Sequence, residues 1–267
     1  MSRWSGVFGL IARLVLGMVL TSSVGTAALA QDELVALTSR VGVGISYWWM
    51  PRDGAVATVL LFSGGGGGIG FKDKDGVPQS GNFLIRARDE FARGGFNVAL
   101  VGNPDDARQM TPAFRRSAEH QADVRAILDD VGKRSAAPVW LIGTSQGTLS
   151  AAANAAALGS RIAGVVLSST VTGSQPGGSV ADIALEDITV PVLIFQHKRD
   201  ACRITPPAAA QRLTSRLLSA PVKQYIEVDG GTEPSSGPCE AFHHHGYVGM
   251  EAQAVAQISR WIKTPSN

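Results

Sequence analysis

One short segment of the sequence combines a nucleophile with the turn that such a nucleophile needs. Gly143-Thr144-Ser145-Gln146-Gly147 follows an apolar run at 139–142 and precedes an alanine-rich run at 151–158. Glycines at 143 and 147 let an outgoing helix pass close to an incoming strand, while the turn lifts the serine into a strained backbone conformation. Gly-x-Ser-x-Gly can arise by chance in a sequence with 31 glycines, so the flanking strand and helix patterns carry the argument. The segment predicts a nucleophile elbow with Ser145 as the nucleophile.

A glycine-rich segment at 63–70 follows another predicted strand and admits several interpretations. Its Gly65-x-Gly67-x-x-Gly70 spacing matches a dinucleotide-binding fingerprint, but Gly76 and Pro78 break the helix that this fingerprint must open. A P-loop is excluded as well, because Lys72 is followed by an aspartate rather than by Ser or Thr. Two interpretations stay open. The segment is either a flexible loop or an oxyanion loop, whose backbone N–H groups approach a developing anion because no side chain stands in the way.

The elements that must position these segments alternate along the chain. Most predicted strands are continuous apolar runs, as in sheets covered on both faces, and the first ones indicate an antiparallel start to the sheet. The alternation predicts an α/β fold, a doubly wound, mainly parallel sheet with helices on both faces. The predicted strands are 34–39, 43–49, 56–62, 97–101, 139–142, 162–167, 190–195 and 224–228, and the predicted helices, besides 151–158, are 81–93, 112–131, 206–218 and 249–263.

The first 30 residues are typical of a secretory signal peptide. Arg3 is followed by an apolar run that Arg13 interrupts and that resumes at 14–20, and the stretch ends in Ala28-Leu29-Ala30. The alternative, a retained membrane anchor, is disfavoured because the clean apolar part is shorter than the roughly 20 residues of a spanning helix. We expect cleavage before Gln31, a periplasmic or secreted protein without a stable membrane anchor, and a single domain at 31–267.

The charge balance of the expected mature chain is close to neutral. Removing residues 1–30 takes away two arginines and no acidic residue, which leaves basic and acidic residues in equal number. Nothing in this balance suggests nucleic acid or an anionic surface as a partner.

Over about residues 41–263 the chain resembles the α/β-hydrolase fold superfamily, in particular small cap-less exported serine esterases of the dienelactone-hydrolase-like type. The resemblance rests on Ser63-Gly64-Gly65-Gly66 standing where the family has His-Gly-Gly-Gly, on the elbow at 143–147, on Asp200 and on His245-Gly246-Tyr247. Their order, Ser, Asp, His, is the family's own. Ser63 departs from the family's usual histidine. Only about 20 residues, 170–189, stand where many such hydrolases insert a lid, so the resemblance implies a site without a large lid domain.

The same resemblance implies a role for each site residue. Ser145 would be the nucleophile, His245 the base and Asp200 the acid that orients the base. The N–H groups of Gly65 and Gln146 would form the oxyanion hole, and no cofactor would be needed.

The acid has competitors. Asp200 follows an apolar run at 192–195, and the alternative is a solvated loop aspartate paired with Arg199. Asp229 and Glu227 also compete, but they belong to the following predicted strand and leave no room for a helix between the strands of the acid and the histidine.

Three consecutive histidines, 243–245, offer the base. His245 directly precedes Gly-Tyr, as the family's base does, and His244 is its main rival. Consecutive side chains point in different directions, so the run is a poor metal site and we expect no bound metal. His197, in the loop before Asp200, is interpreted as a histidine with satisfied hydrogen bonds rather than a catalyst.

The two cysteines, Cys202 and Cys239, lie just after the expected acid and just before the expected base. Export favours their oxidation, and we expect a disulfide that ties the two loops together. The alternative is a pair of separate buried thiols; a thiol nucleophile is disfavoured because neither cysteine lies on an elbow.

Together these features predict an exported serine hydrolase that cleaves a small carboxylic ester through an acyl-enzyme. Two alternatives use the same residues: a peptidase or thioesterase with the same triad, and a catalytically silent binding protein that kept the fold.

Overall fold

The computed structural model describes residues 1–2, 31–70 and 77–267. The predicted signal peptide lies almost entirely outside these ranges, as do residues 71–76 of the segment expected to prevent a helix after the glycine-rich loop. Within the described ranges, no helix combines the length and the apolar character needed to cross a bilayer.

The described residues form one eight-stranded sheet with the strand order β1-β2-β4-β3-β5-β6-β7-β8. Strand β2 pairs antiparallel with both β1 and β4, and every other neighbouring pair is parallel. All eight predicted strands are confirmed within three residues at each end, including the antiparallel start. The strands are β1 (Glu33–Arg40), β2 (Val43–Met50), β3 (Ala57–Phe62), β4 (Phe96–Val101), β5 (Val139–Thr144), β6 (Gly164–Ser168), β7 (Val192–His197) and β8 (Lys223–Val228).

Helices cover both faces of this sheet, which confirms the doubly wound prediction. Helices α4 and α5 contribute to the apolar core on one face, and α1, α2 and α7 contribute to the core on the other. The helices are α1 (Phe83–Arg86), α2 (Arg88–Arg93), α3 (Pro112–Arg115), α4 (Ala118–Arg134), α5 (Gly147–Leu158), α6 (Pro207–Arg212) and α7 (Glu251–Lys263).

Two predicted helices are each divided into two. Helix 112–131 begins as predicted at Thr111, whose side chain accepts from the Phe114 N–H, but a second cap interrupts it: the Ser117 side chain accepts from the His120 N–H and starts α4. Helix 81–93 is divided at Ala87, which ends α1 and precedes α2.

The segment 170–189 stays short and adds no lid domain. It contains two single turns of 3₁₀ helix, Val180–Asp182 and Leu185–Asp187. The carboxyl ends of the parallel strands β3, β5 and β7 therefore lie at one edge of the sheet that no lid covers. The glycine-rich loop follows β3, Ser145 follows β5 and Asp200 follows β7.

Candidate active site

Ser145 lies on a strained turn between β5 and α5. Its φ is +52°, a left-handed conformation that costs a non-glycine residue roughly 1–2 kcal/mol. The flanking glycines are sterically required: a Cβ on Gly143 would lie 2.3 Å from the carbonyl oxygen of Gly147, and one on Gly147 would lie 2.0 Å from that of Phe62. This local geometry is that of a nucleophile elbow.

Asp200 follows β7 and is buried, with 6% of its surface exposed. Its Oδ1 accepts the backbone N–H of Cys202 at 3.0 Å, and its Oδ2 accepts the Thr205 hydroxyl at 2.9 Å. Arg199 instead pairs with Asp229, Nε to Oδ1, at 2.9 Å on the surface. The solvated ion pair considered for Asp200 is therefore formed by its competitor Asp229.

His245 is the histidine that meets Asp200. Its Nδ1 lies 3.1 Å from Oδ2 and 3.3 Å from Oδ1 of Asp200, and both side chains are buried. The Ser169 hydroxyl donates to the His245 carbonyl at 2.7 Å and fixes the backbone behind the ring. An imidazole held by a carboxylate at Nδ1 can accept a proton at Nε2.

The other histidines of this region have different surroundings. His244 is buried, neither of its ring nitrogens has a hydrogen-bond partner among the described residues, and burial lowers its pKa. His197 is bonded at both ring nitrogens, Nε2 to the Gly230 carbonyl at 3.2 Å and Nδ1 to the Arg199 N–H at 3.0 Å. The described ranges contain no group of three or more His, Cys, Asp or Glu side chains arranged to hold a metal ion.

Ser145 and His245 open onto the same cavity, which has a volume of about 380 Å³. The cavity is shallow and open to solvent, and its surface is about half polar and half apolar. Its walls come from the glycine-rich loop, from the segment that starts α1 and from the loop before His245: Gly64–Gly68, Ser80–Phe83, Thr144, Cys239–Ala241 and Gly246.

The glycine-rich loop lies directly against Ser145. A Cβ on Gly64 would lie 3.0 Å from the Ser145 Cβ, which is tighter than ordinary van der Waals contact, so a side chain here would force its neighbours to shift. Gly65 has φ +57°, and its N–H has no acceptor among the described residues; the same holds for the N–H of Gln146. The two N–H groups expected to form an oxyanion hole are thus both available next to Ser145.

Cys202 and Cys239 form a disulfide, with their Cα atoms 4.5 Å apart. Cys202 is buried in the loop of Asp200, whereas Cys239 is exposed and lines the cavity. The bond therefore joins the loop that carries Asp200 to the loop that leads to His245.

Sequence reasoning missed three polar residues of this region. Thr205 directly precedes the predicted helix 206–218 and has no predicted role in the site, yet its hydroxyl contacts both Asp200 and the His245 Nδ1, the latter at 3.2 Å. Asn82 caps α1 through Oδ1 and lines the cavity. Arg115, one of many arginines in the sequence, donates hydrogen bonds to the Ser63 and Gly65 carbonyls of the glycine-rich loop. Of the three, only Thr205 could have been connected with the site from the sequence, because it follows the expected acid, Asp200, by five residues.

Comparisons with known proteins place the fold. No family model and no curated protein matches the sequence. Solved structures do match. An esterase from Pyrococcus furiosus is similar at a TM-score of 0.63 and 15% identity, covering 87% of this chain and 91% of its own. A predicted CIB-like hydrolase from Thermoplasma acidophilum is similar at a TM-score of 0.59 and 13% sequence identity, and the match covers 87% of this chain and 98% of that hydrolase.

A third solved structure bears on the missing lid. An α/β serine hydrolase described as lacking a lid, from Xanthomonas campestris, is similar at a TM-score of 0.57 and 14% identity, covering 87% of this chain and 92% of its own. The described residues have the α/β-hydrolase fold, with no large lid domain among them. Identities this low establish the fold and leave the activity to be argued from the site.

Proposed function

We propose that this protein is an exported serine hydrolase that cleaves a small carboxylic ester with Ser145, His245 and Asp200. The observation that carries the proposal is the contact of the His245 Nδ1 with the Asp200 carboxylate, at 3.1 Å, beside a cavity that the strained Ser145 shares. Structural neighbours that include an esterase and a lid-less serine hydrolase support the same reaction class.

In the proposed reaction the Ser145 oxygen attacks the ester carbonyl carbon while His245 Nε2 accepts the hydroxyl proton. Asp200 holds the Nδ1–H of His245 and stabilises the imidazolium that forms. The negative charge that develops on the carbonyl oxygen is bound by the N–H groups of Gly65 and Gln146. His245 then protonates the leaving alcohol, which leaves an acyl group on Ser145, and a water activated by His245 releases the acid.

The cavity favours small substrates. A volume of about 380 Å³ lies at the low end for small-molecule sites, and a cavity of mixed polarity offers no long apolar channel for a fatty acyl chain. We therefore expect short-chain or small aryl esters to be preferred over long-chain lipids.

Export belongs to the same proposal. The disulfide Cys202–Cys239 is typical of an oxidising compartment such as the periplasm or the extracellular space. N-terminal sequencing of the mature protein should find Gln31 first, and a chain that begins at Met1 in the same compartment would contradict cleavage.

The reaction is tested on a panel of 4-nitrophenyl esters from acetyl to dodecanoyl, with matched amides and thioesters, using the wild-type protein and Ser145→Ala. We expect hydrolysis of the short esters by the wild type only. Faster turnover of the amides or thioesters would move the proposal to a peptidase or thioesterase, and no turnover of any substrate would favour the silent binding protein.

A further inference from the structure

Arg115 is a fully buried arginine without a carboxylate partner among the described residues. Its side chain is 0% exposed, and burial lowers its pKa to about 9, so it still carries a charge at neutral pH. Its partners are uncharged: the carbonyl oxygens of Ser63, Gly65 and Met110, and the hydroxyl of Ser150. Burying an arginine without an acid is unfavourable, so the contacts that it makes instead need an explanation.

One nitrogen of Arg115 bridges two carbonyl groups of the glycine-rich loop. Nη2 donates to the Ser63 oxygen at 3.2 Å and to the Gly65 oxygen at 3.1 Å. Between these two carbonyls lies the Gly64–Gly65 peptide, whose N–H is the proposed oxyanion donor. Arg115 therefore fixes the peptides on both sides of that donor.

The other carbonyls of the loop are held as well. The Gly64 oxygen accepts the Gly67 N–H, the Gly66 oxygen accepts the Met110 N–H and the Asn103 amide, and the Gly67 oxygen accepts the Ser63 hydroxyl. The N–H groups of Gly64, Gly65 and Gly66, by contrast, have no acceptor in the described part of the chain. The carbonyls from Ser63 to Gly67 are thus bound to the protein, whereas the N–H groups of Gly64, Gly65 and Gly66 are unbound beside the cavity.

The conformational freedom of the glycines makes these contacts with the carbonyl groups necessary. Without Cβ atoms, Gly64 and Gly65 can rotate so that the peptide between them reverses, which would present a carbonyl oxygen to the substrate in place of an N–H. Carbonyl and N–H point in opposite directions in a trans peptide, and the described chain has no cis peptide, so holding the neighbouring carbonyls restricts this rotation.

Arg115 also connects the two halves of the oxyanion hole. Its Nη1 donates to the Ser150 hydroxyl at 3.0 Å, and Ser150 lies on α5, the helix that begins next to Gln146.

We propose that Arg115 is a positioning residue that holds the Gly64–Gly65 peptide with its N–H directed at the oxyanion. This inference rests on the proposed hydrolase function. Arg115 touches no substrate and acts through the loop.

The test compares Arg115→Lys, which keeps the charge but lacks the planar fork, with Arg116→Lys as the matched control. Arg116 is adjacent, does not line the cavity that Ser145 and His245 share, and has no hydrogen bond to the glycine-rich loop among the described residues. For Arg115→Lys we expect kcat to fall about 10- to 100-fold, as when an oxyanion donor is weakened, with KM changed less than about threefold. Affinity for a phenylboronic acid, which forms a tetrahedral adduct on the nucleophile, should fall in parallel with kcat. Wild-type kcat in a folded Arg115→Lys protein would overturn the proposal.

A second variant covers the case in which Arg115→Lys does not fold. Ser150→Ala removes the Nη1 contact alone, and we expect kcat to fall several-fold with the fold intact; an unchanged kcat would overturn the proposal.

Amide hydrogen exchange separates this inference from the function on which it rests. Exchange at the Gly67 and Met110 N–H groups, which are hydrogen-bonded to the Gly64 and Gly66 carbonyls, should become at least about tenfold faster in Arg115→Lys than in the wild type, with other segments unchanged. Unaltered exchange would overturn the proposal that Arg115 positions the loop, whether or not the wild type hydrolyses esters. A wild type that hydrolyses nothing would overturn the proposed function alone.

Discussion

The backbone N–H of Cys202 donates to Oδ1 of Asp200 over 3.0 Å, so one end of the disulfide also binds the proposed catalytic acid. The other end, Cys239, lies in the wall of the cavity. Cys202 therefore takes part both in the covalent constraint and in the positioning of Asp200, and we expect the disulfide to affect activity as well as stability.

Reduction should lower activity before it lowers secondary-structure content. Closing a loop of 37 residues contributes about 4 kcal/mol in the chain-entropy model, so Cys202→Ser should lower the melting temperature by about 10 °C. A displacement near 1 Å in the acid can cost about a hundredfold in rate. Activity and far-ultraviolet circular dichroism are followed while a reductant is titrated.

The double variant Cys202→Ser/Cys239→Ser is the control, because a reductant should no longer change it. Two alkylatable thiols in protein purified from an oxidising compartment would remove the bridge and this coupling.

Thr205 should matter through its hydroxyl alone. Thr205→Val keeps the shape but leaves Oδ2 of Asp200 without one donor, and a hydrogen bond to a charged group contributes about 1.5–3 kcal/mol. We expect kcat/KM to fall about tenfold or more. Thr205→Ser, which keeps a hydroxyl, should stay within about threefold of the wild type; equal losses in the two variants would show that packing, not the hydrogen bond, is at work.

The base can be assigned by comparing neighbouring histidines. His245→Ala should lower kcat by several orders of magnitude, by analogy with other triads, because it removes the ring that contacts Asp200. His243→Ala and His244→Ala should retain most of the activity, since neither ring is hydrogen-bonded to Asp200 in the structure. Steady-state kinetics on one short ester decide, and a greater loss in His244→Ala than in His245→Ala would move the base.

A buried histidine far from the chemistry should set part of the acid sensitivity. His120 is fully buried between the rings of Phe62 and Phe114, and burial, with the charges of Arg115 and Arg40, lowers its pKa to about 3. The unfolded chain, with a histidine pKa of about 6.5, binds a proton at this histidine below that pH, whereas the folded chain binds it only near pH 3. The free energy of unfolding should therefore fall as pH falls from about 6.5 towards 3, by at most about 1.4 kcal/mol per pH unit from this group.

Urea unfolding at pH 7, 6, 5 and 4 measures this slope. His120→Leu should flatten it, and His243→Leu, at a less buried position, should leave it unchanged. Identical slopes for the wild type and His120→Leu would contradict the assignment.

The strands and the elbow could be predicted from the sequence, because the residue patterns that mark them are local. Continuous apolar runs marked most strands, and the spacing of Gly143, Ser145 and Gly147 marked the elbow, whose steric basis the structure shows atom by atom. The breaks at Ala87 and Ser117 were missed, because a serine inside an apolar helical pattern does not reveal whether it caps a new helix.

The contacts around the site depend on residues far apart in the chain, and this is why they could not be predicted. Arg115 meets Ser63 and Gly65 across about fifty residues, and Thr205 meets His245 across 40. No local pattern distinguishes Arg115 from an exposed arginine. The contact of His245 with Asp200 was expected from the family resemblance, and no local pattern alone distinguished His245 from His244.

The central claim is that Ser145 is an activated nucleophile, and covalent modification by a fluorophosphonate tests it without any assumption about the substrate. Intact-mass analysis of the wild type should show the gain of one phosphonyl group, and peptide mapping should place it on Ser145. Ser145→Ala should stay unmodified, and His245→Ala should react far more slowly. A folded wild-type protein that gains no mass, or that carries the label on another residue, would contradict the claim.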